Sequence, residues 1–274
     1  MSKTILITGS SSGIGRAVAM YFQLRGWNVS ATMRQPDKEN ELEKLDGVRL
    51  FPLDVLDENS IHKAIEGTIQ HFGSIDVIVN NAGYGLVGPF EASTHDQVKK
   101  QFDTNVFGVM NVCRGILPYF RAKKAGTIIN IASVGGRITF PLYSLYHGTK
   151  WAVEGFSESL HYEIKPFGIK VRIIEPGAIK TDFYQRSMDV VHRDELTAYD
   201  QYVDKTFNNI QDIGNTAAGP EVVAKKIFKA ATDRGWRLRY AVGGGAPALL
   251  FMRRILPNSW FFAAVRMVAE KARK

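Results

Sequence analysis

The sequence predicts an α/β fold: one doubly wound parallel sheet of about seven strands, helices on both faces, and a helical extension at the C-terminal end. Three observations predict it. Short apolar runs alternate with helical periods along most of the chain, which sets strands side by side in parallel with helices crossing over. The runs, such as Ile5-Leu6-Ile7 and Val77-Ile78-Val79, are apolar at successive positions, as strands covered on both faces are. Glycine stands where helical periods lapse, at Gly26 and Gly73.

The elements follow in order. Lys3–Thr8 reads as a buried strand, Ile14–Arg25 as a helix stopped by Gly26, and Asn28–Thr32 as the second strand. Asp37–Leu45 reads as a short charged helix closed by Asp46-Gly47, before a third strand at Val48–Leu53. Asn59–Phe72 is helical, and Ile75–Val79 is the fourth strand. Thr94–Arg121 carries one long helical period, followed by a strand at Gly126–Ala132, a helix at Tyr143–Pro166 and a strand at Lys170–Glu175. Pro176-Gly177 breaks the chain. Periodicity is poor from Ala178 to Gly219, then returns as a helix over Pro220–Asp233 and a last strand at Arg239–Val242. Gly243-Gly244-Gly245 divides the body from a tail in which Ala246–Leu256 and Ser259–Arg273 read as two helices around Pro257.

No repeat or linker interrupts the alternation, so one domain is expected over residues 1–245, with a lid over about 178–219 and the tail 246–274 packed on it or on a partner surface. The chain has 274 residues, 45% of them hydrophobic, enough for a large core. Its single cysteine, Cys113, excludes an intrachain disulfide and a cysteine metal site, and suits a reducing compartment. No secretory leader or spanning segment of roughly 20 apolar residues is visible, so a cytoplasmic location is expected. Six scattered histidines show no metal-ligand spacing and read as surface or capping residues. No metal is expected. The net charge is +8, yet nine of the 35 basic residues lie from Arg234 onward against one acid, Glu270. The body therefore holds 26 charges of each sign. A nucleic-acid footprint would spread its cations over a binding face, so no nucleic-acid partner is expected.

The chemistry-bearing residues fall at the carboxyl ends of the expected strands. Gly9, Gly13 and Gly15 lie between the first strand and helix, where backbone N–H groups and a helix N-terminus can cradle a pyrophosphate. Ser10, Ser11 and Ser12 add hydroxyls. The spacing is G-x-x-x-G-x-G, which by itself also fits a plain glycine turn. Tyr146 and Lys150 are one helical turn apart and share a face. A tyrosine titrates near about 10, and a neighbouring cation lowers that value toward the neutral range. Ser133, after the fifth strand, can hold a substrate oxygen. Such a set suits hydride transfer between a nicotinamide and a carbonyl or alcohol carbon, with Tyr146 moving the proton. Asn105 stands in mid-helix, where asparagine is a poor helix former.

These residues, in this order, resemble the short-chain dehydrogenase/reductase family in its compact branch. The glycine turn from Thr8 through Ile14 to Gly15 fits the family pattern T-G-x-x-x-G-x-G. Asn80-Asn81-Ala82-Gly83, Asn105, Ser133, Tyr146-x-x-x-Lys150, and Pro176-Gly177 followed by Thr181 continue the likeness over about residues 3–242. The resemblance implies a Rossmann-type sheet and catalysis by Asn105, Ser133, Tyr146 and Lys150. It implies that Asp54 and Val55 meet the adenine, while Asn80, Ala82 and Gly83 floor the adenosine ribose. Pro176, Gly177, Ile179 and Thr181 would hold the nicotinamide carboxamide, and Lys150 the nicotinamide ribose. Asn105 would open its helix around a water that links Lys150 to solvent. Asn81 is expected to brace strands.

The second strand ends Ala31-Thr32-Met33-Arg34 without an acid. An acid there would favour NAD, whereas Arg34 offers a forked, charge-assisted contact to a 2′-phosphate. NADP(H) is therefore expected over NAD(H), against the alternative that Arg34 pairs with Asp37. Tyr84, Leu86, Phe90, Ile138, Phe140, Leu142, Tyr143, Phe183, Tyr184, Met188, Tyr199, Tyr202 and Phe207 are expected to wall a pocket for a lipophilic carbonyl or alcohol. In the tail, Trp260, Phe261, Ala264, Val265 and Val268 form one apolar stripe opposite Arg266, Glu270 and Arg273. It suits the pocket entrance, a partner subunit in a homo-oligomer (dimer or tetramer), or peripheral contact with a membrane. A 3-oxoacyl-thioester reductase and a non-catalytic NADP-binding module are the competing readings.

Overall fold

The computed structural model describes residues 2–181, 188–191, 193–215 and 217–269, with side chains omitted at 208–215. Seven strands form one parallel sheet: β1 (Thr4–Thr8), β2 (Asn28–Met33), β3 (Val48–Pro52), β4 (Val77–Asn80), β6 (Gly126–Ile131), β7 (Ile169–Pro176) and β9 (Arg239–Val242). Their spatial order is β3-β2-β1-β4-β6-β7-β9. The winding direction reverses between β1 and β4, which pair with Ile5 opposite Val77 and Ile7 opposite Val79. A crevice outside the carboxyl ends of strands at such a reversal is where ligands bind in open α/β sheets. The sheet is of the expected doubly wound, Rossmann type.

Strand periodicity explains the two cores. Ile5 and Ile7 of β1 enter a cluster with Val18 and Phe22 of α1 (Gly13–Gln23) and Val223 and Ile227 of α7 (Glu221–Thr232). Leu6, between them, faces the other way. It packs with Ile61 and Ile65 of α2 (Glu58–Phe72), Val112 and Ile116 of α4 (Gly108–Lys123), and Val153 and Leu160 of α5 (Ser144–Ile164). Successive side chains point to opposite faces, so β1 must be apolar throughout, and all five residues are buried. Burying a Leu or Ile side chain contributes about 1.5–3 kcal/mol.

The structure departs from the sequence expectations at four places. Asp37–Leu45 is not a helix but two 3₁₀ turns, Pro36–Lys38 and Leu42–Lys44. The Glu39 carboxylate accepts from Glu41 N at 2.9 Å and Leu42 N at 3.0 Å, replacing helical partners. The long period from Thr94 is α3 (His95–Phe102), a π turn (Asp103–Phe107) and α4. The poorly periodic segment contains α6 (Asp200–Asn215) and β8 (Met188–Val190), which pairs in parallel with β5 (Gly85–Val87). Gly243-Gly244-Gly245 is no spacer: a Cβ on Gly244 would lie 2.3 Å from Ala178 N and one on Gly177 would lie 2.6 Å from Gly243 O. The three glycines take positive φ angles of 70°, 46° and 70°, and fold the chain against the loop after β7.

The tail helices α8 (Ala246–Ile255) and α9 (Asn258–Ala269) therefore begin docked. Ala246, Leu249, Leu250, Phe261 and Val265 pack on Val134, Ile138 and Phe140. The expected tail stripe is split: Phe261 is buried and Val265 half-buried, whereas Trp260, Ala264 and Val268 are exposed. Glu270 and Arg273 lie outside the described residues, as do Phe183 and Tyr184.

Candidate active site

The glycine turn is held by the loop after β4. Gly9 and Gly13 have φ of +69° and +54°, values that favour glycine. Thr8 Oγ1 accepts from Asn81 N and Ala82 N, each at 3.0 Å, and Asn81 Nδ2 donates to the carbonyls of Thr8 and Gly9, each at 3.0 Å. Asn81 thus braces the two loops. A Cβ on Gly15 would fall 2.2 Å from Gly9 O and 2.6 Å from Asn81 Nδ2, while one on Gly9 would reach Ala82 Cα at 3.0 Å. At Gly13 a Cβ would meet only Thr181, at 3.7 Å. The turn is closed behind and open toward the crevice, as a diphosphate cradle requires. Ser12, the N-cap of α1, spends no side-chain bond on the helix, and Ser11 is exposed. Ile14 packs against the core. Ser10 corrects the expectation that all three hydroxyls are on offer: its Oγ is buried and donates to Ile7 O at 2.9 Å.

Around the adenosine end the placement is mixed. Asp54 Oδ1 accepts from Leu56 N at 3.0 Å, shaping its own turn, and Val55 O accepts from Asn111 Nδ2 at 3.2 Å. The Asn80 side chain is buried and donates to Asn130 Oδ1 at 2.8 Å, so its backbone alone remains for the ribose floor. Gly83 is exposed, and a Cβ there would sit 3.0 Å from Asn105 Oδ1. Arg34, just past β2, is exposed, and no ion pair with Asp37 forms. Arg16 on α1 instead binds two carboxylates of the following segment, Glu39 at 2.5 Å and Glu41. Burial pushes the Glu39 carboxyl up, but N–H groups of Leu42 and Glu41 together with Arg16 hold it below its ordinary value. The sequence reading missed this cluster. Two acids after the strand were visible; that Arg16 would take them depends on folding.

The proton-handling residues converge at the carboxyl edge of β6 and β7. Ser133 Oγ accepts from Gly135 N at 3.0 Å and reaches Pro176 O at 3.4 Å. Lys150 is buried, donates to Ile131 O at 2.9 Å, and lies 5.7 Å from the centre of the half-buried Tyr146 ring. Burial pushes the Lys150 ammonium down to about 8, against an opposing pull from Glu154. Glu154, one turn further along α5, is itself buried, forced up to about 7 by burial and Glu175 and drawn back by Arg239, which donates to it at 3.0 Å. The Lys150–Glu154 spacing was legible in the sequence; the approach of Glu175 was not.

Asn105 sits in the π turn. Its Oδ1 accepts from Tyr84 N at 3.1 Å, and its Nδ2 donates to Tyr84 O at 2.8 Å and Thr149 Oγ1 at 3.2 Å. Gln101, one turn earlier and fully buried, donates to Tyr84 O at 3.0 Å and accepts from Leu86 N at 2.5 Å. The two amides grip the strand that follows the Asn80–Gly83 loop. An unpaired backbone group buried there would cost about 1–3 kcal/mol. Histidine is a further correction. His147 and His161 are buried, not surface residues. His147 Nδ1 accepts from Phe140 N at 3.3 Å, its ring stacks on Tyr143, and burial takes it down to about 4.

Gly177 N donates to Val242 O at 2.9 Å, and Ile179 is buried against Gly243. Of the expected pocket walls, Leu86, Ile138 and Tyr143 are buried and Phe90 is 64% exposed. A cavity of about 550 Å³ is bordered by Phe140, Pro141, Leu142, His147, Gly148 and Trp151. His147, Gly148 and Trp151 share a stripe of α5 different from that of Tyr146 and Lys150, so this cavity is not the candidate site. Among the described residues no group of His, Cys, Asp and Glu is placed to hold a metal ion.

A parallel sheet with a glycine cradle at its winding reversal, and a Ser, Tyr and Lys set at the adjacent strand ends, defines a nucleotide-dependent oxidoreductase. Comparison with known proteins agrees. Residues 3–191 match the family model described as short chain dehydrogenase. The chain is 40% identical over 243 residues to a 3-ketodihydrosphingosine reductase of Bacteroides thetaiotaomicron, covering 87% of each. It is similar to the crystal structure of a short-chain dehydrogenase from Streptomyces avermitilis (TM-score 0.83, 33% identity, 97% of both chains). It is also similar to ElxO with NADP bound (TM-score 0.75, 28% identity, 90% of this chain and 100% of that one). The chain belongs to the short-chain dehydrogenase/reductase family. It is an NAD(P)-binding oxidoreductase acting on CH–OH groups.

Proposed function

We propose that this chain interconverts a carbonyl and an alcohol using NADP(H), on a lipophilic substrate, with Tyr146 as general acid and base. One observation carries the proposal: the Lys150 ammonium is buried, anchored on Ile131 O, and 5.7 Å from the Tyr146 ring. A cation fixed in a poorly solvated place beside a phenol favours the phenolate, which makes the phenolic proton movable near neutrality. A bound nicotinamide would supply hydride to the carbonyl carbon, or accept it from the alcohol carbon. In reduction, Tyr146 Oη gives its proton to the substrate oxygen; in oxidation it takes that proton. Ser133 Oγ, placed by Gly135 N, donates to the same oxygen. Its 3.4 Å approach to Pro176 O is long enough to be exchanged for a substrate contact.

Arg34 supports NADP(H). It is exposed at the end of β2, where no acid stands to repel a 2′-phosphate, and Glu39 and Glu41 are engaged by Arg16. Tyr143 and Met188, whose side chains meet at 3.9 Å, support a lipophilic substrate, as does likeness to a relative named for reducing a lipid ketone. Asp54, Val55, Ala82, Thr181 and the backbone of Asn80 complete the proposed cofactor contacts. Exposed Phe107, Trp151 and Tyr162 support assembly into a homo-oligomer. The test is NADPH consumption over a panel of carbonyls, with Tyr146→Phe as control. The variant is expected to lose about 10²–10⁴-fold in kcat while binding cofactor normally in calorimetry. Retained turnover in Tyr146→Phe, or preference for small hydrophilic ketones, would count against the mechanism or the substrate class respectively.

A further inference from the structure

We infer that the C-terminal helices form a docking surface for an anionic phospholipid bilayer. In α9, Trp260, Ala263, Ala264, Met267 and Val268 recur at i, i+3, i+4, i+7 and i+8, the spacing of one helical face. Every one of them is exposed, with Trp260 at 68% and Met267 at 73%. In an ordinary amphipathic helix this stripe would be the buried one. Here the inward face is supplied separately by Phe261, Val265 and Ala269 at i, i+4 and i+8. The helix thus carries two apolar stripes, and the body covers one. In α8, Leu249 and Leu250 pack inward while Phe251 and Ile255 stay 62% and 58% exposed.

Charge decides what covers the second stripe. Exposed Arg254 flanks these residues, and the sequence adds Lys271, Arg273 and Lys274. Residues 246–274 hold six bases against one acid, Glu270, so the segment with the exposed apolar side chains carries a net charge of +5. A second copy of this chain would set cations against cations. An anionic bilayer satisfies both features, taking apolar side chains below its headgroups and cations among its phosphates. Among the described residues no helix is long and apolar enough to cross a membrane, so the contact is interfacial. Tight packing of Gly243 and Gly244 on Ala178 and Ile179 fixes the surface to the body. The docking does not depend on the proposed carbonyl substrate, and its readout needs no turnover.

The test is co-sedimentation of the full chain with phosphatidylcholine vesicles, with and without phosphatidylglycerol. Sedimentation is expected with the anionic vesicles, and salt should weaken it. Arg254→Ala should lower the partition coefficient about fivefold. Trp260→Glu with Met267→Glu should lower it more than about tenfold while leaving the melting temperature unchanged. If that double substitution fails to fold, Arg254→Ala and the salt series still decide. Three results would overturn the inference: no sedimentation of the unmodified chain, equal sedimentation with neutral vesicles, or a dimer in light scattering that the double substitution separates.

Discussion

Lys150 should be a residue that the fold tolerates at a cost. Its ammonium is buried and its pKa falls from 10.5 to about 8, with burial the principal cause and Glu154 opposing it. A group whose folded pKa lies below its unfolded value disfavours folding wherever it must be charged. Below pH 8 the folded chain carries that charge, and a depression of this size corresponds to about 3 kcal/mol. As pH rises from 8 toward 10.5 the unfolded chain holds the proton more tightly than the folded one, so the penalty fades. Lys150→Met removes the titration and keeps most of the volume. It also loses the bond to Ile131 O, worth about 1.5–3 kcal/mol, so the net effect at neutrality is small. The pH dependence of the difference is not small. Relative to Lys150→Met, the unmodified protein should gain about 2 kcal/mol between about pH 7 and about pH 9.5. Urea unfolding of both proteins at the two pH values, without cofactor, measures it. A stability difference that stays constant with pH would refute the argument that Lys150 is a desolvated cation.

Three further outcomes are expected. Gly15→Ala places a Cβ against Gly9 O and Asn81 Nδ2, so it should destabilise the fold by about 1–3 kcal/mol and abolish dinucleotide binding in calorimetry; normal binding would show that the turn has room to spare. Asn105→Ala strips two hydrogen bonds from the Tyr84 backbone, and urea unfolding should register a loss of about 1–3 kcal/mol. Arg34→Asp should shift the NADPH-to-NADH ratio of kcat/KM toward NADH by at least about tenfold. An unchanged ratio would remove Arg34 from cofactor choice.

Much of this protein was legible in one dimension because its signals are local. An apolar run such as Ile5-Leu6-Ile7 suits a strand covered by two layers, so the parallel sheet followed from such runs alternating with helical periods. Gly9 and Gly13 mark their turn because no other residue takes those φ angles readily. Tyr146 and Lys150 declare their shared face through helical spacing. What escaped the sequence depends on partners distant along the chain. The three-residue β8 exists only because β5 lies beside it. Ser10 and Asn80 look like ligand-facing polar groups, yet Ile7 O and Asn130 turn them inward. His147 belongs to the core because Phe140 and Tyr143 close over it. The tail shows apolar residues on more than one side of its helix, and periodicity cannot say which side meets the body. Val134, Ile138 and Phe140 took Phe261 and Val265 and left Trp260 and Met267 in the open. Backbone preference and spacing act within a few residues and can be read directly. Burial is a contest among surfaces that meet only after folding, so tertiary structure alone decides it.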